Sequence, residues 1–539
     1  MSIPVIDLFA GPGGLGEGFS RVKKLTFKTV VSIEKDVMAH ETLRLRAAHR
    51  HLQQNPTTTR ETWETWDQLI EKSPWDMLFR NLSSSKDSNI LEACQCANAE
   101  ALRLELGPER REEVSKEIRN RLEKISNDQR LPRNIVLIGG PPCQAYSVVG
   151  RSRNKGEKAY VANEDIRHFL YLEYLHVITE FQPAVFVMEN VKGILSSKVD
   201  DERIFEKILR DLRRPGIPDG ATGDLEYVLL PLVGPRGEEE IAKPHKFILR
   251  AEDFGIPQAR HRVIILGVRK DVYLAAEAKV GTLVPSDPPS VSDVIGDLPQ
   301  LRPQVSKRGG GMHWLDALNS PLCDYVVRVL KNDVEPQMRE VGKLMEKLRT
   351  DLSERKSDPG AGKERIRIPE RKRKPVKALA DWYGDRKSEI LPNHESRSHM
   401  PSDIVRYLFV SSFGKVTGES PRLADFPGML LPEHKNVDRF NVAQSIFKDR
   451  FRVQLGGKFS MTITSHIAKD GHAFIHYKPK QCRSLTVREA ARLQTFPDSY
   501  VFLGNRTAQY TQVGNAVPPL LANKVADIVA DLLKAAGYK

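Results

Sequence analysis

Short apolar runs alternate with helical stretches along the first half of the chain. The apolar runs cover residues 4–9, 27–33, 135–138, 184–188, 227–232 and 263–268. Continuous apolar runs of this length are typical of strands that are buried on both faces of a parallel sheet. Helical spacing of apolar residues follows at 167–181 and 203–212. This alternation predicts an α/β fold, a doubly wound Rossmann-like sheet with helices on both faces.

Two regions interrupt the alternation. Residues from about 41 to 133 are highly charged and helical in pattern, most clearly over Ala97–Ile125, so we expect an insertion or an elaborated crossover there. From about residue 285 the chain becomes rich in Pro and Gly and carries basic runs at 363–367 and 371–374. Such a run forms either a solvated surface or loop, or a surface that contacts phosphates, and the sequence leaves both open.

Regular structure is predicted to resume near residue 451. Thr486, with Glu489 three residues later, is typical of a capping box at the start of a helix. Another helix is predicted over residues 520–533.

Composition and charge narrow the class of protein. Of 539 residues, 40% are hydrophobic and 28% are charged, which fits a soluble globular protein and excludes a wholly disordered or collagen-like chain. Lys and Arg number 83 against 70 Asp and Glu, a net charge of +13 that favours a polyanionic partner only weakly. No apolar run approaches the ~18 residues of a membrane span. The first predicted strand starts at once, without a signal peptide, so we expect a cytoplasmic protein.

Cysteine usage argues against disulfide and zinc chemistry. The five Cys are scattered and none forms a C-x-x-C pair, so we predict neither a disulfide framework nor a metal site. An isolated Cys in an intracellular protein is usually a small buried hydrophobe and occasionally a nucleophile.

A Gly-rich loop, Ala10–Gly16, follows the first predicted strand directly. Glycines allow the backbone to approach a ligand closely, and the helix that starts there points N–H groups at a negative group. The loop lacks the pattern of a nucleoside-triphosphate P-loop. Glu34 ends the second strand, where a carboxylate can bind ribose hydroxyls. Loop and acid together favour an adenosine-containing cofactor over a tight turn with no ligand.

Three further groups stand next to predicted strands. Cys143 comes after two glycines and two prolines that fix its position, so we interpret it as a reactive thiol. Glu189 follows the next strand, at the edge where it can converge with Cys143, although a lone Glu there is often only a loop cap. Arg260 and Arg262 alternate along an extended segment and so share a face, as catalytic groups or as a surface salt-bridge pair.

Six segments together closely resemble the motifs of the cytosine-C5 DNA methyltransferases, in the family's order. They are Asp7–Gly14, Gly140–Gln144, Met188–Val191, Gln258–Arg262, Arg483–Arg492 and Gly514–Pro519. The resemblance covers roughly the first 40 residues, 135–270 and 480–539.

The resemblance implies the chemistry. Cys143 would add to C6 of cytosine, so that C5 becomes nucleophilic enough to take a methyl group. Glu189 would hydrogen-bond or protonate N3, for which it must carry or share a proton. Arg260 and Arg262 would orient the base and support the site, and Arg262 is the better candidate for the base itself. The target base has to be flipped out of the duplex.

S-adenosylmethionine is the cofactor that the resemblance implies. The residues expected around it are Phe9, Ala10, Gly11, Gly13, Gly14, Leu15, Glu34, Pro142, Leu170 and Asn515. Lys35 stands where many relatives have an aromatic residue on the adenine, and the family's short acidic motif after the second strand is not recognisable.

Double-stranded DNA is the implied substrate. A loop that closes over the DNA is predicted after the nucleophile, with Gln144, Ser147, Arg151, Arg153 and Lys155 as its contacts. We expect a catalytic domain at 1–285, a target-recognition domain at 286–505 and a segment at 506–539 that returns to the catalytic domain. The resemblance also implies a restriction–modification or phage-defence role. It implies a cognate restriction endonuclease or defence proteins as partners, and association with the nucleoid.

Two alternatives stay open. One is a tRNA cytosine-C5 methyltransferase of the same fold, although those relatives have much shorter recognition regions. The other is a non-catalytic DNA-binding regulator, which the presence of all four candidate catalytic residues disfavours.

Overall fold

The computed structural model describes residues 2–126, 131–142, 170–199, 202–216, 224–234, 243–277, 279–307, 310–368, 376–384, 388–433, 437 and 450–538. The backbone divides into two compact units. The first is Met1–Asp287 together with Ala516–Lys539, and the second is Pro288–Asn515.

A central sheet organises the first unit. Among the described residues it has eight strands: β1 Ile3–Leu8, β2 Phe27–Glu34, β3 Ala101–Arg103, β4 Val136–Gly139, β5 Val185–Val191, β6 Tyr227–Leu230, β7 Ile248–Arg250 and β8 His261–Arg269. Their spatial order is β3-β2-β1-β4-β5-β8-β6, and β7 also pairs with β8. Strands β1 to β5 are parallel, whereas β8 is antiparallel to its neighbours.

The order in which the chain adds strands to the sheet reverses between β1 and β4, because β2 and β3 lie on one side of this pair and β5 on the other. In a doubly wound sheet, ligands bind at such a switch point, outside the carboxyl ends of the strands. Both the Gly-rich loop after β1 and the turn after β4 are at this edge.

Helices cover both faces of the sheet. They are α1 Gly14–Ser20, α2 Val37–Gln54, α3 Arg60–Lys72, α4 Leu78–Leu82, α5 Ser88–Glu100, α6 Arg111–Ile125, α7 Tyr171–Phe181, α8 Ile204–Arg213, α9 Lys270–Ala275 and a C-terminal helix, Pro519–Ala535. One apolar core packs α1 and the C-terminal helix against the sheet, and a second packs α6, α7 and α8. The predicted α/β class and the six predicted strands are confirmed, with strand ends shifted by up to three residues.

The charged stretch at 41–133 is an elaborated crossover. The helix expected over Ala97–Ile125 is wrong in part, because α5 ends at Glu100 and β3 pairs in parallel with β2, Ala101 opposite Ser32. Three residues are too few to show a strand period, and Gly107 and Pro108 then break the helical run before α6.

The second unit has a helical core and short strand pairs. Its helices are Val291–Ile295, Trp314–Leu318, Pro321–Lys331, Pro336–Ser353, Ala380–Tyr383, Pro401–Thr417, Val487–Leu493 and Arg506–Asn515. Gly362–Arg367 pairs antiparallel with Ile390–Glu395, Gln304–Val305 pairs in parallel with Ser398–His399, and Ser460–Met461 is a further strand.

Two sequence predictions in the second unit are settled by its structure. The basic run at 363–367 is a strand and not a loop, with residues that are half-buried or exposed, and 371–374 lies outside the described residues. The capping box is confirmed, because the Thr486 hydroxyl accepts a hydrogen bond from the Glu489 N–H while the Glu489 carboxylate accepts one from the Thr486 N–H.

In the described part of the chain no helix is long and apolar enough to span a bilayer, and no group of three or more His, Cys, Asp or Glu could hold a metal ion.

Candidate active site

The Gly-rich loop is shaped by its backbone. Phe9, Gly11 and Gly13 have φ angles of 55°, 57° and 99°, all in the left-handed region. α1 then starts at Gly14, where a Cβ atom would lie 2.3 Å from the carbonyl oxygen of Val517, just before the C-terminal helix. A side chain cannot fit there, so glycine at position 14 lets the loop and the end of the chain approach closely.

Glu34 ties this loop to the second strand. Its Oε2 accepts a hydrogen bond from the Gly11 N–H (2.8 Å), and its Oε1 accepts one from the Asp36 N–H (2.7 Å). The structure therefore brings Gly11 and Glu34 together, as the sequence predicted. Each carboxylate oxygen has a second lone pair left for a ligand hydroxyl.

An ion pair stands at the rim beside Glu34. Lys35 Nζ lies 2.9 Å from Glu105 Oε1, and both side chains are exposed. Glu105 follows β3, the strand that the sequence did not reveal, and the Lys35 ammonium lowers the pKa of this carboxyl. Glu105 is the first carboxylate after β3. Because the sequence did not predict β3, it did not single out Glu105.

The remaining predicted cofactor residues lie in different settings. The Gly-rich loop is closed by two backbone hydrogen bonds. The Ala10 N–H donates to the Ile33 carbonyl oxygen (3.0 Å), and the Gly13 N–H donates to the Ala10 carbonyl oxygen (2.9 Å). Leu15 is buried in the core of the first unit, and Leu170 is buried at the N-cap of α7. Phe9 and Pro142 are half-buried, whereas Asn515 is exposed at the end of a helix of the second unit. Sequence position alone did not distinguish these settings.

Beneath the loop lies a buried charge cluster that the sequence did not reveal. Arg46 donates to both oxygens of Glu17 (2.8 and 2.6 Å), and Arg50 pairs with Glu100. Asp7, at the end of β1, is fully buried as a third carboxyl beside these two matched pairs. Burial, together with the charges of Glu100 and Glu34, raises its pKa to about 8 against the pull of Arg50. Asp7 therefore keeps its proton at neutral pH.

The crevice at the carboxyl ends of the strands has two edges. The Gly-rich loop and Glu34 form the first, and residues on or after β4, β5 and β8 form the second. Glu189 projects near the end of β5, and a Cβ on Gly140 would lie 3.0 Å from its Oε2. The next residue, Asn190, donates from Nδ2 to the carbonyl oxygen of Pro141 (3.3 Å). The turn that leads to Cys143 is thus held against the strand that carries Glu189.

Arg262 is the ionic partner of Glu189. Its Nε lies 2.8 Å from Glu189 Oε1, and its Nη1 donates to the His261 carbonyl (2.8 Å). Both side chains are mostly buried, at 15% and 12% exposure, so water screens the pair weakly. The surface salt-bridge alternative for this arginine is therefore wrong.

Arg260 lies completely buried in the same segment. Burial and the neighbouring charge of Arg262 lower the pKa of its guanidinium, while Glu189 acts in the opposite direction. Glu189, Arg260 and Arg262 are therefore brought together at one edge of the sheet. Such a cluster can hold a polar heteroaromatic ring by charge-assisted hydrogen bonds.

Six predicted residues lie outside the described residues: Cys143, Gln144, Ser147, Arg151, Arg153 and Lys155. Their expected roles stay predictions.

Comparison with known proteins gives a consistent result. The C-5 cytosine-specific DNA methylase family matches residues 109–217, 243–322 and 326–530. A type II methyltransferase, M.Bpa9945I of Bacillus paralicheniformis, is 31% identical over 98% of this chain and 99% of its own length. M.DdeI of Desulfomicrobium norvegicum, also a type II methyltransferase, is 24% identical over 98% of this chain and 88% of its own.

A third relative is a DNA (cytosine-5-)-methyltransferase, M.ApeKI of Aeropyrum pernix. It is 25% identical over 74% of this chain and 80% of its own length. The family match covers more than half of the chain, and the first relative aligns over nearly all of it. The resemblance of the sequence motifs is thereby confirmed: the chain belongs to the C-5 cytosine-specific DNA methylase family.

Proposed function

We propose that this chain methylates C5 of cytosine in a specific duplex DNA sequence, with S-adenosylmethionine as methyl donor and Cys143 as nucleophile. The carrying observation is the mostly buried Glu189–Arg262 pair, 2.8 Å apart, packed against the Gly140–Pro141 turn that leads to Cys143. Family membership supplies the reaction, and this arrangement supplies the residues to perform it.

The loop after β1 fits the cofactor. Gly11 faces open space, since a Cβ there would meet nothing within 4 Å, and Glu34 presents carboxylate oxygens beside it. This is a cradle for a ribose and an extended chain, with Glu34 on the ribose hydroxyls and Phe9, Gly11 and Gly13 along the loop. When bound, S-adenosylmethionine supplies an electrophilic methyl group.

Each protein group has a defined task in the reaction. The Cys143 thiolate would add to C6 of the flipped cytosine, and C5 would then bond to the methyl carbon of the bound donor as the bond between that carbon and the donor sulfur breaks. Glu189 holds a proton at N3 and draws charge from the ring, while Arg262 fixes the carboxyl and the base in one plane. A base removes the C5 proton, the C5–C6 double bond re-forms, and the thiolate leaves.

The second unit and the partners follow from the same proposal. We assign recognition of the DNA sequence to Pro288–Asn515, the unit that does not carry the sheet. Two of the relatives are named type II methyltransferases, which supports a restriction–modification role with a cognate endonuclease that cuts the same sequence.

The decisive experiment traps the covalent intermediate. The protein is incubated with S-adenosylmethionine and duplex DNA that carries 5-fluorocytosine, in which the C5 substituent cannot leave as a proton. We expect a stable protein–DNA adduct, none with Cys143→Ala, and none with tRNA. An adduct that survives Cys143→Ala contradicts the mechanism, and methyl transfer to tRNA but not to DNA contradicts the substrate. Bisulfite sequencing of DNA from expressing cells then reports the recognition sequence.

A further inference from the structure

A buried tyrosine links the two strands that end at the catalytic edge. Tyr174 lies on α7 and is completely buried. Its hydroxyl is 3.3 Å from the carbonyl oxygen of Leu137 on β4 and 3.0 Å from that of Val187 on β5. Its one proton serves these two acceptors, one from each strand. Burial raises the pKa of this phenol well above its ordinary value, so it stays a donor.

The ring of Tyr174 also packs against Gly139, the last residue of β4. A Cβ on Gly139 would lie 2.9 Å from Tyr174 Cε2 and 2.5 Å from the carbonyl oxygen of Leu8. Gly139 is therefore enclosed by the tyrosine ring and the backbone of β1, with no room for a side chain. The ring thus sets the position of the backbone two residues before Pro141.

The helix that carries Tyr174 is itself fixed from outside. Arg111 on α6 binds both oxygens of Glu173 (2.9 and 2.8 Å), and Arg119 on the same helix binds Glu180 (2.9 Å). These contacts are two turns apart along α6, so they resist both sliding and rotation of α7. The helix that carries the tyrosine is therefore bound to α6 at two points.

We propose that Tyr174 is a positioning residue for methyl transfer: its hydroxyl ties β4 to β5 and so holds the turn before Cys143 at a fixed distance from Glu189. This inference rests on the proposed function. Tyr174 is completely buried and so cannot be reached by a substrate at the surface, and its loss should therefore lower the rate of the chemical step and leave binding unchanged.

Tyr227 provides a matched control. It is also buried, its ring also packs against Phe186, and its hydroxyl also donates to a backbone carbonyl, that of Pro183 at 2.8 Å. Pro183 precedes β5, however, whereas Val187 is two residues before Glu189. Tyr227→Phe and Tyr174→Phe each remove one buried hydroxyl that donates to the backbone, at Pro183 before β5 in the first case and at Val187 within β5 in the second.

The experiment measures both variants in the full chain. Single-turnover rate, the KM for S-adenosylmethionine, the KM for DNA, the melting temperature and amide hydrogen exchange over 136–140 and 185–190 are compared with wild type. For Tyr174→Phe we expect a rate about tenfold lower, both KM values unchanged and faster exchange at Gly139 and Gly140. For Tyr227→Phe we expect a similar loss of melting temperature with a rate within about twofold of wild type.

Equal rates for the two variants, or unchanged exchange at Gly139 and Gly140 in Tyr174→Phe, overturn the inference. A wild-type protein without activity on any cytosine-containing DNA overturns the proposed function instead. In that case hydrogen exchange still decides whether Tyr174 holds the turn.

Discussion

The two edges of the crevice are built in different ways. On the side of β1 and β2 the shape comes from the backbone: left-handed residues, a glycine that admits no Cβ, and the Glu34 carboxylate bound to two main-chain N–H groups. On the side of β4, β5 and β8 it comes from side chains, with Glu189 paired to Arg262 and Asn190 bonded to the turn.

This difference teaches which kind of change each edge tolerates. A backbone-built edge responds to added volume and depends little on the identity of nearby side chains. An edge built from side chains responds to lost charge or lost hydrogen bonds, even when volume is preserved. Isosteric substitutions should therefore act mainly on catalysis at the second edge, and glycine substitutions mainly on folding at the first.

Glu189→Gln is the strongest test of the second edge. The amide keeps the volume but cannot hold a proton for N3 or pair with Arg262, so we expect methyl transfer to fall about 10²- to 10⁴-fold. Single-turnover assays on DNA measure it. Glu226→Gln, which breaks a pair with Lys270 on a solvent-exposed part of the first unit, is the control and should leave the rate unchanged. A rate for Glu189→Gln within threefold of wild type would contradict the role of this edge.

Gly14→Ala tests the first edge by volume. Its Cβ would meet the Val517 carbonyl at 2.3 Å, so we expect a loss of about 3 kcal/mol in the free energy of unfolding. Gly11→Ala meets no atom within 4 Å but has a φ of 57°, and should cost about 1–2 kcal/mol. Gly107→Ala, with open space and an extended φ, is the control and should cost little. Urea unfolding measures all three, and any other rank order would break the comparison.

Glu34→Gln asks whether the first edge also contains essential side-chain chemistry. The amide offers one acceptor, so either Gly11 or Asp36 loses its hydrogen bond. A ribose hydroxyl bound to this side chain would also lose its charged acceptor, and at about 1.5–3 kcal/mol for such a bond the Kd for S-adenosylmethionine should rise about 10- to 100-fold by calorimetry. Glu105→Gln removes only the exposed pair with Lys35 and should change the Kd by less than about fivefold. Equal effects of the two would contradict the assignment of the ribose to Glu34.

Asp7→Asn gives a distinct signature in the pH dependence of stability. Burial raises the folded pKa of Asp7 from 3.8 to about 8, so between these values the folded state keeps a proton that the unfolded state has lost. The contribution of Asp7 to the free energy of unfolding is fully present below about pH 4. It falls, by at most about 1.4 kcal/mol per pH unit, until about pH 8. Asp7→Asn should remove this slope in urea unfolding between pH 6 and 8. An identical slope in wild type and variant would show that Asp7 is ionised in the fold.

The sequence predicted what depends on long apolar runs and on residues next to them. Strands β1, β2, β4, β5, β6 and β8 were predicted from their hydrophobicity, and the places of Glu34, Glu189 and Arg262 beside strands followed from them. Such local patterns are visible in one dimension because a buried parallel strand needs no partner to be apolar.

What the sequence could not reveal depends on packing between distant segments. β3 is three residues long and leaves no period, so the carboxylate after it was missed. Asp7 reads as an ordinary residue until Arg50 and Glu100 are found already paired, and Tyr174 reads as a core aromatic until its hydroxyl is located between two strands. Each of these roles arises from tertiary contacts.

The contact of Gly14 with Val517 has a consequence for biosynthesis. α1 packs on the C-terminal helix, more than 490 residues downstream in the sequence. While the ribosome is still translating the second unit, the face of α1 that packs on the C-terminal helix is uncovered, and Gly14 lacks its contact with Val517. The nascent first unit therefore cannot complete this packing until residues 516–535 have emerged from the ribosome.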